Sequence, residues 1–540
     1  MAEQLTATIA GVVPRRGGVL RIRSLGDMDY LDPQRTYYTC SHEVLRCVVR
    51  SLMTYPGLPN PDGARIVPDL AEDYPDISAD RATYTFRLRA GARFGPPLDR
   101  PVRSADVKFG LERLLDPEIL GRVHGYFKDI VGAEDVIEGR TEDLAGVTCP
   151  DERTLVIRLR RPLGDFVHVC ALPACSPVPP EVGRPHKTDY SNHVVATGPY
   201  SIETYRPDDW LHLVRNPSWD PATDQVRGAW VDELDIQLNV GWAQILEEIE
   251  NDQADLPAIA NPTPEDIKRY TTDPKFAGRW HADAAGCIHY ISLNCTVPPL
   301  DDVRVRQAIG YAIDKQALRD VRGGEVAGDI ATTILPPTLV GHQPYDLYPS
   351  PDHRGDVDRA RRLLAEAGYP NGFRTWALVV NNGFGPEIGR VIRESLGRAG
   401  IDVEVRSVPP GEYFSQWVSQ PSKQVPIGGN CGWCPDWPGN GARSYISVLF
   451  DGRKIKPQGT SNYSMLDDPA INRMIDEAES SPAEAAARRW GELDRRIMEQ
   501  VPIIPWIYDN HMTLISSRLR NYFNHAFLVG PDWSNVWLAE

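Results

Sequence analysis

The sequence predicts an α/β protein built as two or three domains, and three observations carry that reading. The chain has 540 residues, enough for several separate cores. Residues 375–406 read as strand, helix and strand: 375–380 is an apolar run, 386–399 is helical with an early proline and Gly400 as its stop, and Ile401, Val403 and Val405 alternate with Asp402, Glu404 and Arg406. That order implies parallel pairing through a right-handed crossover. Elsewhere Tyr84, Phe86 and Leu88 alternate with Thr85, Arg87 and Arg89, the pattern of a half-buried strand in an antiparallel sheet.

Composition narrows the function classes. At 41% hydrophobic and 24% charged the chain is an ordinary globular protein. A formal charge of −16 argues against nucleic acid and anionic lipid as partners. No run of 18 apolar residues is present, so no membrane-spanning helix is expected. The first residues, MAEQLTATIAGVVPRRGG, lack a basic start and a long apolar core, and no cysteine falls within the first 39 residues. Neither an export signal nor a lipoprotein anchor is read there. Nine cysteines is an odd number, and most are expected as buried thiols.

The elements follow in order. Residues 18–23 alternate as a first strand, and Asp29-Tyr30-Leu31-Asp32-Pro33 leads into a loop over 34–40. A helix over 41–53 places Val44, Leu45, Val48 and Leu52 on one face. Ser104 reads as the N-cap of a helix carrying Val107, Leu111, Leu114 and Leu115, and 154–159 is another strand. The proline-rich stretch 175–185 marks a crossing, followed by strands over 200–205 and 210–215. Trp242, Ile245, Leu246 and Ile249 share a helix face. Tyr290, Ile291 and Leu293 form a strand before Pro298-Pro299. Asp301-Asp302 then opens a helix with Val305, Ala308, Ile309 and Ala312 inward and Arg304 and Arg306 off that stripe. A helix over 356–367 is stopped by Gly368, and 503–508 is a late apolar strand.

Several of these strings resemble one family. They are Gly17-Gly18 before Leu20-Arg21, Pro68-Asp69-Leu70-Ala71-Glu72 with Tyr84 through Phe94, Thr197-Gly198-Pro199-Tyr200 with Asn216-Pro217, and Pro298-Pro299-Leu300-Asp301-Asp302 through Asp314-Lys315. Together they resemble the extracytoplasmic solute-binding proteins of the peptide/nickel class, the ligand-capturing subunits of ABC importers, over about residues 17–540. The resemblance implies a two-lobed periplasmic-binding-protein-like fold of the class II type with an extra subdomain. Its expected division is lobe I at 1–50, 185–285 and 503–540, the extra subdomain at 51–184, and lobe II at 286–502. A ligand would be enclosed by hinge closure. The implied partners are a peptide-like or other polar solute and an ABC permease, with a monomeric chain outside the cytoplasm and no cofactor. The alternative is an intracellular protein of the same fold, used as a sensor or as a biosynthetic enzyme on peptide-like substrates. The reading of the N-terminus is the feature that favours it.

No catalytic string is present: no H-E-x-x-H, G-x-S-x-G or G-x-x-x-x-G-K-[ST]. Gly383, Gly385 and Gly389 read as a tight turn before a helix, with a phosphate site as the lesser reading. The twelve histidines show no zinc-like pairing, so no metal is assigned. The informative stretch is 428–440, GGNCGWCPDWPGN. Cys431-x-x-Cys434 has redox spacing, but the residues after it do not support the helix start that lowers a thiol pKa. By resemblance Asp436 grips the ligand's terminal ammonium, Trp433 lines the pocket, and Trp437 stands where tyrosine is common. A solvated loop carboxylate is the plain alternative for Asp436. The resemblance also pairs Cys434 with Cys287 in a disulfide. Tyr37, Tyr38 and Thr39 are candidates for strand-like pairing with a peptide, the tyrosines equally readable as packing residues. Asn381 and Asn382, at a strand end, are further candidates. No carboxylate anchor stands out; Arg374 and Arg443 are the arginines considered.

Overall fold

The computed structural model describes residues 13–119 and 121–539, and the stretch 1–12, part of the region read for an export signal, lies outside the described residues. The chain divides into two compact units. One holds Met1–Asn261, Phe276–His281 and Met512–Glu540; the other holds Pro262–Lys275 and Ala282–His511.

The first unit is built on a five-stranded sheet, in the order Leu256–Pro257, Val19–Arg23, Glu233–Gln237, Trp210–Arg215, Tyr200–Arg206. Val19–Arg23 runs parallel to its two neighbours, and the last three strands are antiparallel. Alternation along these strands places Leu20, Ile22, Leu211, Leu213, Leu234 and Ile236 in a fully buried core with Val44 and Val48 of the helix Thr39–Val48. That helix starts two residues earlier than expected. The Asp29 carboxylate accepts the Tyr37 and Tyr38 N–H groups and the Thr36 and Ser41 hydroxyls, organising the chain just before and within its first turn. It ends earlier too, at Val48, because Val49 is extended and Arg50 turns into a buried ion cluster.

A second, four-stranded antiparallel sheet runs Asp76–Ile77, Thr83–Arg87, Thr154–Arg158, Val147–Thr148. The helix Ser104–Leu115 buries Val107, Leu111, Leu114 and Leu115 as its spacing predicts. Ser104 is its first residue rather than its cap: Arg103 is the cap, and the Asp106 carboxylate accepts the Arg103 N–H. This region, expected as a subdomain over 51–184, falls within the first unit. Arg50 pairs with Asp69 (2.7 Å), Arg227 with Asp69 (2.8 Å) and Asp224 (3.1 Å), and Arg46 with Asp532 (3.1 Å), all buried. These ion pairs tie four distant stretches of chain into one core.

The second unit carries a six-stranded sheet, in the order Gly328–Asp329, Ile503–Leu514, Trp280–Leu293, Ile427–Trp433, Arg374–Val380, Asp402–Val408. Arg374–Val380 and Asp402–Val408 pair in parallel along seven residues, joined by the helix Gly385–Arg398, as the alternating pattern requires. A Cβ on Gly389 would stand 2.7 Å from Val405 Cγ1, so glycine there lets the helix close onto the sheet. The helix Val303–Ala312 follows its Asp302 N-cap, whose carboxylate accepts the Arg304 N–H. Arg306 departs from the expectation. It is buried, donating to the Gln500, Leu300 and Asp301 carbonyls, because those carbonyls lie under the helix start and need a donor.

Two expected boundaries shift. The strand Ile503–Leu514 belongs to the second unit's sheet as far as His511, so the return to the first unit comes at Met512 and not at 503. The helix Pro264–Thr272, expected in lobe I, sits in the second unit, where Ile267 packs within 2.6 Å of the Cβ position of Gly323.

Candidate functional site

The stretch singled out by sequence lies at the end of Ile427–Trp433, a strand antiparallel to Trp280–Leu293. Trp433 opposes Ile288, and Gly432 opposes His289. The chain then leaves the sheet at Cys434, which is disulfide-bonded to Cys287. The loop closes onto the first turn of the helix Ala442–Phe450. The Trp433 indole donates to the Ser444 carbonyl (2.8 Å), and the Asp436 N–H donates to the Ser444 hydroxyl (3.1 Å). The Tyr445 hydroxyl donates to the Trp433 and Gly286 carbonyls. Burial pushes that phenol well up, and the Asp436 carboxylate adds to the effect.

Three side chains of the loop thus have different fates. Trp433 and Asp436 are half-buried and reach the surface. Trp437 does not: it is fully buried and donates to the Asn440 carbonyl (3.0 Å). A tight turn of Gly and Pro folds this indole back under its own loop. The structure agrees with setting aside the redox reading of Cys431-x-x-Cys434. Cys434 is bonded elsewhere, and Cys431 is buried beside the Tyr413 and Ser292 hydroxyls, where burial pushes its thiol up.

Asn381 and Asn382 are exposed at the carboxyl end of Arg374–Val380. That strand runs parallel to Ile427–Trp433, with Leu378 level with Gly428. Both candidate groups of this unit therefore follow the carboxyl ends of two parallel neighbouring strands, the end of the sheet where open α/β sheets bind ligands. The Asn381 N–H extends the pairing by donating to the Val408 carbonyl, and the Asn382 carbonyl accepts the Gly385 N–H that turns the chain into its helix.

A charged group between these two stretches escaped the sequence reading. His289 stands 3.3 Å from Asp509, and Asp509 pairs with Arg322 (3.0 Å). Arg322 lies over the ring of Phe384, 5.0 Å from its centroid, and its Nη1 is buried without a hydrogen-bond partner among the described residues. Burial opposes the charge on Asp509, yet Arg322 and His289 hold its carboxyl below the usual range. Residues 289, 322 and 509 come from three separate strings, so no local spacing signals them. The arginines considered from sequence serve other ends. Arg374 is exposed at the opposite end of its strand beside Asp402 (3.6 Å), and Arg443 is buried against Glu479 (3.5 Å).

In the first unit Tyr37 is half-buried, while Tyr38 and Thr39 are exposed at the start of the helix Thr39–Val48. Their backbone is held by Asp29, as described. Among the described residues no helix is long and apolar enough to cross a membrane.

Comparison with known proteins bears on this arrangement. Residues 65–449 match the family model of bacterial extracellular solute-binding proteins, family 5. The glutathione-binding protein GsiB of Salmonella choleraesuis is 27% identical over 491 residues, spanning 86% of this chain and 83% of that protein. The structure of clavulanic acid biosynthesis oligopeptide binding protein 2 is 34% identical, with a TM-score of 0.91 over 97% of this chain and 96% of the other. The periplasmic binding protein DppA from Helicobacter pylori, in complex with the peptide STSA, shares the fold at 20% identity, with a TM-score of 0.77 over 97% and 99% of the two chains. With a family match over most of its length, on an α/β scaffold, the chain belongs to the bacterial extracellular solute-binding proteins of family 5.

Proposed function

We propose that this solute-binding protein, the solute-binding subunit of an ABC importer, captures a peptide-like solute outside the cytoplasm and holds its ammonium at Asp436. The observation that carries the ligand reading is the mounting of Asp436. It stands on a loop pinned by the Cys287–Cys434 disulfide and by Ser444, beside the half-buried Trp433. A carboxylate held in place before the ligand arrives forms a strong charge-assisted hydrogen bond without an ordering cost. Arg322, whose Nη1 has no hydrogen-bond partner among the described residues and whose guanidinium lies over Phe384, is the group assigned to a ligand carboxylate. The disulfide supports an oxidising compartment, and the names of the relatives, one glutathione-binding and one oligopeptide-binding, support a peptide-like ligand. The chain works as a monomer handing its solute to a permease.

The test is native mass spectrometry of the purified protein, followed by denaturation to identify what is released. A released peptide-like cation, with affinity lowered about 10–100-fold in Asp436→Asn, is the expected result, since a hydrogen bond to a charged group contributes about 1.5–3 kcal/mol. Full occupancy in Asp436→Asn overturns the ammonium anchor. Amidating the ligand's carboxyl end weakens binding to the wild type and leaves Arg322→Gln unaffected if Arg322 is the second anchor.

A further inference from the structure

The segment after the second sheet of the first unit gathers three metal-ligating side chains that the solute reading does not use. His186 and His193 stack with ring centroids 3.5 Å apart. Asp189 Oδ2 lies 3.3 Å from His193 Nε2. The ligating atoms of all three stand within 4.8 Å of one another. The backbone explains the gathering. The Asp189 N–H donates to the His186 carbonyl, the Asn192 N–H to the Asp189 carbonyl, and the His193 N–H to the Tyr190 carbonyl. Successive tight turns thus bring positions 186, 189 and 193 to one side, which a search for paired histidine motifs overlooks.

The chemistry of the set is selective. Two ligands on a tetrahedral zinc ion, each about 2.0–2.1 Å from the metal, stand roughly 3.3 Å apart. Asp189 and His193 already have that separation, and a side-chain adjustment brings His186 in. Asn192 Nδ2 donates to Asp189 Oδ1 (2.6 Å), which orients the carboxylate and leaves Oδ2 for a cation. Two imidazoles and one carboxylate suit a borderline divalent ion, whereas magnesium and calcium prefer oxygen sets.

The segment also supports the loop that presents Tyr38 and Thr39. The Asp32 N–H donates to the Ser191 hydroxyl (3.1 Å), and Arg35 donates to the Thr188 carbonyl (2.9 Å). Arg113 bridges the two, pairing with Asp32 (2.5 Å) and donating to the Lys187 carbonyl (3.0 Å). We propose that His186, Asp189 and His193 form a binding site for a divalent transition-metal ion of the zinc type, and that the bound ion stiffens the loop 29–39 resting on this segment.

The experiment uses the untagged full chain, stripped with a chelator and titrated with Zn²⁺ by calorimetry, with Mg²⁺ as the control. One equivalent of Zn²⁺ binds the wild type, Mg²⁺ does not, and His186→Ala, His193→Ala and Asp189→Asn each weaken binding about tenfold or more. Thermal melts of the metal-free variants verify that each is folded. Hydrogen exchange at 29–39 slows with Zn²⁺ in the wild type and not in His193→Ala. Absence of Zn²⁺ binding below millimolar concentration, or wild-type affinity in the His186→Ala/His193→Ala double variant, overturns the site. Zinc bound at the site with unchanged exchange at 29–39 overturns the coupling. None of these readouts involves a solute, so the proposal fails or stands separately from the ligand assigned to Asp436.

Discussion

In the first unit Asp69, Asp224 and Asp532 lie buried against Arg50, Arg227 and Arg46, whereas in the second Asp494 lies buried against the Ile334 and Leu335 N–H groups and the Tyr345 hydroxyl. The two regions solve one problem, a carboxyl group out of water, in opposite ways. Near Asp532 burial opposes the charge, but the Arg46 guanidinium prevails and holds the carboxyl at about 2. Asp224 is held low in the same manner by Arg227 and Arg50. At Asp494 burial prevails over three neutral donors and pushes the carboxyl up to about 6. At Asp532 and Asp224 the opposite charges offset desolvation, and at Asp494 the neutral dipoles do not.

The strongest way to break the contrast is Asp69→Ala. It removes one of the two carboxylates that the buried Arg50 and Arg227 share and leaves both to Asp224, and a loss of about 3–5 kcal/mol is expected in denaturant unfolding. Asp494→Asn keeps the group neutral but turns its NH2 against one of the two backbone N–H donors, so a smaller loss of about 1–3 kcal/mol is expected; a loss equal to that of Asp69→Ala would remove the distinction between the two sites.

The disulfide sharpens the comparison from the other side, because it holds the second unit's candidate loop covalently. Replacing Cys287 and Cys434 together by Ser should lower stability by about 2–5 kcal/mol. The sign that the loop is affected is faster hydrogen exchange at 434–441, with Asp69 and its arginines untouched.

A pH series separates Asp532 from Asp494 by sign. The depressed Asp532 carboxyl contributes stability above an unfolded value near 3.8, and that contribution is lost as pH falls through about 2. Asp494, raised to about 6, contributes in its neutral form, and its contribution is lost as pH rises from about 4 through 6. Each shift of about 2 units corresponds to roughly 2–3 kcal/mol. Hydrogen exchange read separately on the strands Trp210–Arg215 and Arg374–Val380 checks the opposite trends. A common trend in both strands would sink the prediction.

The smallest effect is expected at Asp29, which holds the first unit's exposed loop through one carboxylate. Asp29→Ala removes acceptors for two backbone N–H groups and two hydroxyls, with an expected loss of about 1–3 kcal/mol. The effect should be local, read as faster exchange at 36–41 with little change in the first unit's sheet.

Much of this molecule is legible along the chain because its causes are local. Alternation at residues 401–406, helical spacing at 386–399, the Asp302 cap and the strings at 68–94, 197–219 and 294–315 identify strands, a crossover and a family without any tertiary information. These features depend on periodicity and on hydrogen bonds within a few residues, which sequence order preserves. The cysteines of the Cys287–Cys434 bond were also matched by resemblance, though 147 positions separate them.

Other features depend on which surfaces meet, and only the tertiary structure decided those. Trp433 and Trp437 are four residues apart in one loop, yet one reaches the surface and the other is fully buried, because the turn between them folds back. Arg306 looks solvent-facing by spacing and is buried because unpartnered carbonyls lie beneath it. The His289–Asp509–Arg322 group, the arginine–aspartate cluster around Asp69, and the His186–Asp189–His193 gathering are set by pairing register and by turns. A local pattern specifies which face of an element is apolar, but the pairing of charges across elements follows from packing, where desolvation makes each partner's identity matter.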